Sequence, residues 1–103
     1  MADLHSASLD RLFETILGLG SVEECYRFFE DVCTVKEMQD MAQRLDVAVL
    51  LDQGENYHAI SEQVNVSTAT ISRVSRCLHY GSGGYRAALS RMKAAEQAKE
   101  SDQ

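Results

Sequence analysis

Apolar residues recur at helical spacing along most of the chain. Leu9, Leu12, Phe13, Ile16 and Leu17 stand at i, i+3, i+4, i+7 and i+8, the stripe of an amphipathic first helix. Residues 1–7 read as frayed, and Gly18 and Gly20 end the helix. Ser21 and Glu24 then form a Ser-x-x-Glu capping pattern that opens a second helix, with Cys25, Phe28, Phe29 and Val32 as its apolar face. Thr34 and Glu37 repeat the signal. They open the longest helix, which runs to about Gln53 and stops at Gly54, the residue type best suited to a left-handed helix end. This third helix carries Val35, Met38, Met41, Ala42, Leu45, Ala48, Val49 and Leu51. The stripe is too wide for one neighbour and predicts burial on more than one side.

The stretch Asn56–Leu78 has a different rhythm. Ile60 and Val64 lie four apart and Ile71 and Val74 three apart, with Val66 between the pairs. Two short helices with a tight turn produce that spacing, and Val66 plugs the gap where they cross. The turn of a helix-turn-helix needs positive φ and usually has Gly. Asn65 stands there, the side chain that best tolerates the left-handed region. Ser61 is small, as a close crossing requires, Asn56 is the expected cap of the first of these helices, and Ser67 that of the second. With the apolar positions turned inward, Ser67, Thr68, Ala69, Ser72, Arg73 and Arg76 face outward. Short hydrogen-bonding side chains, a methyl and two guanidiniums are the chemistry that reads major-groove base edges and grips phosphates. The competing reading is a plain helical hairpin with a solvated polar face. Gly81-Ser82-Gly83-Gly84 follows as a flexible hinge or turn; no Gly-Lys-Ser/Thr follows it, so it is not a P-loop. Tyr85, Ala88, Leu89, Met92 and Ala95 mark a last helix, about 85–98. The expectation is an all-α fold of six helices in one domain, 1–103, and the absence of Pro suits it.

Net charge is −6, which at first argues against a polyanionic partner. The distribution argues otherwise. Residues 63–95 hold five basic side chains, Arg73, Arg76, Arg86, Arg91 and Lys93, and no acidic one, whereas residues 1–62 hold thirteen acidic and four basic. A basic end on an acidic body is a nucleic-acid footprint with a repulsive remainder, and the acidic part weakens non-specific binding. No apolar run approaches the ~18 residues of a membrane span, and no secretory signal pattern opens the chain. Three scattered cysteines, Cys25, Cys33 and Cys77, fit a reducing cytoplasm and core packing rather than a disulfide framework. With His5, His58 and His79 they offer no close-set ligand pair, so no metal or other cofactor is expected. No nucleophile–base or paired-carboxylate arrangement stands out, and an enzyme is not expected. Arg44, amid apolar residues of the third helix, is a candidate anchor for an effector carboxylate or a partner for a nearby acid.

From Thr34 to Lys93 the chain resembles the Trp repressor superfamily, and within it the Trp-repressor-related YerC/YecD group. The likeness rests on QRLDVAVLLDQGE in the long helix, on ATISRVSRCL, and most distinctively on HYGSGGYRAAL. It implies an intertwined homodimer in which N-terminal helices wrap around the other subunit and two helix-turn-helix heads project. In the Trp repressor, L-tryptophan wedges between the head and the dimer core. By position, Thr34, Arg44 and Arg73 match residues that hold this ligand. Val74 stands where the Trp repressor has Gly, and Cys77 where it has Ser, so the effector pocket Thr34, Arg44, Arg73, Val74 and Cys77 is expected to take an effector other than L-tryptophan or none.

These readings converge on a dimeric regulator that binds double-stranded DNA and represses by occupying an operator. The alternative is a helical protein-interaction module whose head serves a protein partner; the basic stretch from Gln63 to Ala95 separates the two.

Overall fold

The computed structural model of the chain describes residues 4–101. Among these there are six helices and no strand: α1 (Ala7–Leu17), α2 (Val22–Val32), α3 (Val35–Asp52), α4 (Tyr57–Val64), α5 (Thr68–Tyr80) and α6 (Gly84–Ser101). The chain divides into two compact units, Met1–Met38 and Gln39–Gln103.

The first unit is a set of well-capped helices with little interior. Ser6 accepts the Leu9 N–H at 3.1 Å, so α1 starts at Ala7 and the expected fraying of residues 4–7 is not seen; residues 1–3 lie outside the described part. The α1 end at Gly18 stays right-handed, with φ −83°. Ser21 caps α2 by accepting the Glu24 N–H at 3.1 Å, while Glu24 reaches back past it to the Gly20 N–H at 3.2 Å. At Thr34 the reciprocal box is complete: its Oγ1 accepts from the Glu37 N–H at 3.1 Å, and Glu37 Oε1 accepts from the Thr34 N–H at 2.8 Å. Each such cap contributes ~1 kcal/mol. Yet no residue of α1 or α2 is buried. Phe28 and Phe29 meet edge to face, with ring centroids 5.4 Å apart, and are half-buried. Leu17 is 84% exposed and Val22 74%.

The second unit holds the core. Val47 and Ala48 of α3, Ile60 of α4, Ile71, Val74 and Leu78 of α5 and Leu89 of α6 are buried together, with Val49, Leu50, Leu51, Val64, Val66 and Tyr85 packed around them. Full burial of an aliphatic side chain contributes ~1.5–3 kcal/mol. Among the described residues of this one chain only the C-terminal half of α3 is covered: Val35, Met41, Ala42 and Leu45 are exposed, and fully buried Val47 was not in the expected stripe. α3 ends with Gly54 at φ +87°, the Gly54 N–H on Leu51 O at 3.0 Å and the Glu55 N–H on Leu50 O at 3.1 Å, a Schellman ending. The α5–α6 link is a defined turn rather than a loose hinge. The Gly81 N–H bonds Cys77 O at 2.9 Å, and a Cβ on Gly81 would lie 2.3 Å from that oxygen. α6 extends three residues beyond its expected end, but only Leu89 is buried; Met92 and Ala95 are exposed.

Asn65 is the one non-glycine residue among those described with positive φ, at φ 59° and ψ 52°. A Cβ in that region costs roughly 1–2 kcal/mol, which Asn tolerates best. Asn65→Ala should therefore lower the urea-unfolding free energy by about 1 kcal/mol, whereas Asn65→Gly should leave it within a few tenths of wild type.

Candidate nucleic-acid interface

The site begins with the crossing of α4 and α5. Asn56 Oδ1 accepts the Ala59 N–H at 2.9 Å and starts α4. The Asn65 N–H closes the helix end on Ser61 O at 3.0 Å, and the left-handed Asn65 turns the chain. Ser61 does more than stay small: its hydroxyl donates to Val66 O at 2.9 Å. The turn is thus pinned to the helix it leaves, and a carbonyl between the two helices is satisfied. Ser67 Oγ accepts the Thr70 N–H at 3.2 Å and lies 3.1 Å from Thr70 Oγ1, so α5 begins one residue later.

From that start the 3.6-residue period decides which side chains face out. Ile71, Val74 and Leu78 turn into the core, and Ser67, Thr68, Ala69, Ser72, Arg73 and Arg76 are all exposed. The Ser67 hydroxyl is engaged in the cap; the other five present their side chains to solvent. Among the described residues neither Arg73 nor Arg76 enters an ion pair. The first turn of α5 contains no acidic residue, so its N-terminal partial positive charge is not cancelled locally.

The other cations of the basic stretch are arranged differently. Arg86 Nη1 lies 3.0 Å from Asp52 Oδ1, and Lys93 Nζ lies 2.8 Å from Asp52 Oδ2. The Asp52 side chain is only 13% exposed. The Lys93 hydrogen bond, reinforced by the Lys93 and Arg86 charges, holds the Asp52 carboxyl below its ordinary value, against a smaller opposing push from partial burial. Two of the five cations are therefore matched to one carboxylate from the acidic part of the chain. No sequence signal links Asp52 to partners 34 and 41 positions away; the packing of α6 brings them together.

The residues of the expected effector pocket are dispersed in role. Thr34 caps α3 in the first unit. In the second, Arg44 is half-buried, Arg73 is exposed, and Val74 is 1% exposed within the core. Cys77 is exposed rather than packed in the core, unlike the half-buried Cys25 and Cys33. It lines an open, largely apolar cavity of about 480 Å³ with Leu45, Gly81, Ser82, Gly84, Tyr85 and Ala88. No other pocket candidate lines that cavity. His58 sits 3.1 Å from Glu62 on the α4 surface.

The Trp repressor protein family matches residues 7–93. The chain belongs to the Trp repressor family. It is 54% identical over 93 residues to YerC, an uncharacterised protein of Bacillus subtilis, covering 90% of this chain and 89% of that one. Two crystal structures share the fold. A candidate Trp repressor from Staphylococcus aureus superposes with a TM-score of 0.84 at 50% identity, over 87% of this chain and 90% of the other. A TrpR-like protein from Eubacterium eligens does so with a TM-score of 0.85 at 43% identity, over 87% and 93%. The six-helix all-α architecture is the family's. No helix among the described residues is long and apolar enough to cross a membrane.

The Asp52 cluster has a pH consequence. A carboxyl whose folded pKa is depressed contributes stability that is fully present above its unfolded value, near 3.8, and is lost as acid titrates it through the folded value. Wild type should lose stability below about pH 4 more steeply than Asp52→Asn, and the two chemical-denaturation curves should converge at the lowest pH where the fold survives.

Proposed function

We propose that this chain is a sequence-specific DNA-binding transcriptional regulator that acts as a homodimer and represses by occupying operator DNA. The observation that carries the reading is the outer face of α5. It offers two exposed hydroxyls, a methyl and two unpaired guanidiniums on a helix fixed at its N-terminal end. Such a helix enters a major groove with its first turns toward base edges. In this reading Thr68, Ala69, Ser72 and Arg73 meet base edges, Arg76 meets a phosphate or base, and Ser67 places the helix start by the backbone. Membership of the Trp repressor family supports the same conclusion and a cytoplasmic site of action.

The dimer is supported by what the first unit leaves uncovered. Phe13, Leu17, Val22, Val32 and Val35 are more than half exposed, although they sit on well-formed amphipathic helices. So many exposed large apolar side chains on one small unit point to an interaction surface. A two-fold partner would supply the missing cover and a second reading helix, as a palindromic operator requires.

The test is duplex binding across a salt series with Arg73→Ala and Arg76→Ala. Binding should weaken steeply as salt rises, and each variant should lose specific affinity, by ~1–3 kcal/mol where a base edge is contacted. No binding of wild type to any duplex would favour the adaptor reading, and the pairing of Arg86 and Lys93 with Asp52 makes that outcome a real alternative.

L-tryptophan is not the corepressor in this account. Val74 fills core volume where the indole would need an empty position, on a β-branched and stiff side chain. Displacing it by overpacking costs ~1–3 kcal/mol. Calorimetry with L-tryptophan should show no saturable heat at micromolar concentration, and adding it should leave duplex affinity unchanged; a tight heat coupled to a gain in DNA affinity contradicts the argument from Val74.

A further inference from the structure

Arg86 touches more than Asp52. Its second terminal nitrogen, Nη2, lies 3.3 Å from His79 Nδ1. Asp52 is the last residue of α3, His79 lies in the last turn of α5, and Arg86 lies in the first turn of α6. One guanidinium thus joins three helices. We propose that Arg86 is a positioning residue for the reading helix: anchored by Asp52, it grips His79 and holds the C-terminal turn of α5 in the orientation that DNA readout needs. The proposal rests on the DNA-binding reading above and assigns that site an internal brace.

The chemistry of the contact is one-directional. Arginine has only donors, so the bond to His79 requires Nδ1 as acceptor. A hydrogen bond from Arg86 therefore needs the tautomer that leaves Nδ1 without a proton. The guanidinium is planar, and its two terminal nitrogens are divided between the two partners. A lysine has one nitrogen and cannot reproduce that fork. The anchor is firm because the carboxylate is held from both sides, by Arg86 on Oδ1 and by Lys93 on Oδ2.

The backbone turn is defined at Gly81, and the Arg86 contact adds a side-chain restraint to it. Only Gly81, Ser82 and Gly83 separate α5 from α6. Gly83 has φ +94°, and nothing lies within 4 Å of a Cβ built on Gly83 or Gly84. Side-chain packing therefore does not restrain the link at those positions. Leu78 holds the inner side of the α5 end in the core, while the outer side carries exposed His79 and Tyr80. The Arg86 contact is the polar restraint on that side. A reading helix must be held to within about 0.5 Å of its productive geometry by supporting side chains of this kind.

The rival account is simpler. Arg86 and Lys93 are basic residues in a basic stretch, and they could leave Asp52 to bind phosphates. The two accounts predict opposite signs. If the cations serve phosphates, Asp52→Asn frees them and removes a repulsive charge, so DNA binding tightens. If Arg86 is a brace, Asp52→Asn loosens it and DNA binding weakens. Arg86→Lys separates them again: a phosphate contact survives it, while the brace does not.

The experiment measures duplex affinity and its salt dependence for wild type, Asp52→Asn, Arg86→Lys, Arg86→Ala and His79→Ala in the full chain, with ring nitrogen shifts of His79 by NMR. We expect each variant to bind roughly fivefold to tenfold more weakly, a modest coupling, with an unchanged salt slope. The Arg86→Ala, His79→Ala double variant should be no weaker than either single, because the pair acts as one unit. The Nδ1 shift of His79 should move in Arg86→Lys as that nitrogen loses its hydrogen-bond donor, a change that general destabilisation would not produce in a folded protein. Tighter binding by Asp52→Asn overturns the proposal, as does wild-type binding by Arg86→Lys or a slope reduced by about 0.9, the mark of one lost phosphate contact. Additive losses in the double variant also overturn it. If Asp52→Asn fails to fold, the exposed Arg86 and His79 variants decide alone. If wild type binds no duplex, the DNA reading falls and takes this proposal with it, whereas failure of the proposal alone leaves wild-type binding intact.

Discussion

The second unit depends on the left-handed backbone of Asn65. That residue sets where α4 stops and where α5 can start. Ser61 reinforces it from within α4 by bonding the next carbonyl at Val66. The direction of α5 follows, and with it the burial of Ile71 and Val74 against Ile60, Val47 and Ala48. Once those side chains are inside, the helical period leaves Ser72, Arg73 and Arg76 no place but the surface. The proposed reading face is thus the complement of the core. A single αL residue, tolerated by an amide side chain, lies upstream of both.

Charge is handled at two levels. The chain as a whole is acidic, yet the outer face of α5 carries cations without local acidic partners. Part of the apparent basic footprint is spent inside the protein, on the Asp52 carboxylate. Arg86 and Lys93 therefore join α3 to α6 before they can serve any partner. Arg73 and Arg76 remain the available cations of α5, which suits the proposed DNA reading, in which specific contacts outweigh weak non-specific attraction.

Much of this was legible in the sequence, for identifiable reasons. Caps are local: Ser21, Thr34, Asn56 and Ser67 each act within three or four residues, so spacing alone reveals them. The Asn65 turn is equally local. The outward face of α5 follows from periodicity once Ile71 and Val74 are assigned inward. The misses involve distance. Val47 looks no different in sequence from its neighbours, and its full burial depends on where α4 and α5 pack. The Asp52–Arg86–Lys93 cluster joins residues far apart in the chain. Cys77 was expected in the core, but its position on α5 turns it toward the open cavity beside Tyr85. The wide apolar stripe of α3 reads as excessive for one neighbour, and among the described residues half of it is left exposed.

That uncovered surface and the α5 face are parts of one account, a two-fold protein that reads DNA with paired helices. The most direct measurement is a hydroxyl-radical footprint on a duplex selected by this protein from a random pool. The account predicts two protected patches on one face of the duplex, about 10 base pairs apart centre to centre and related by a two-fold axis. A single unsymmetrical patch, or no selection of any duplex, would contradict it.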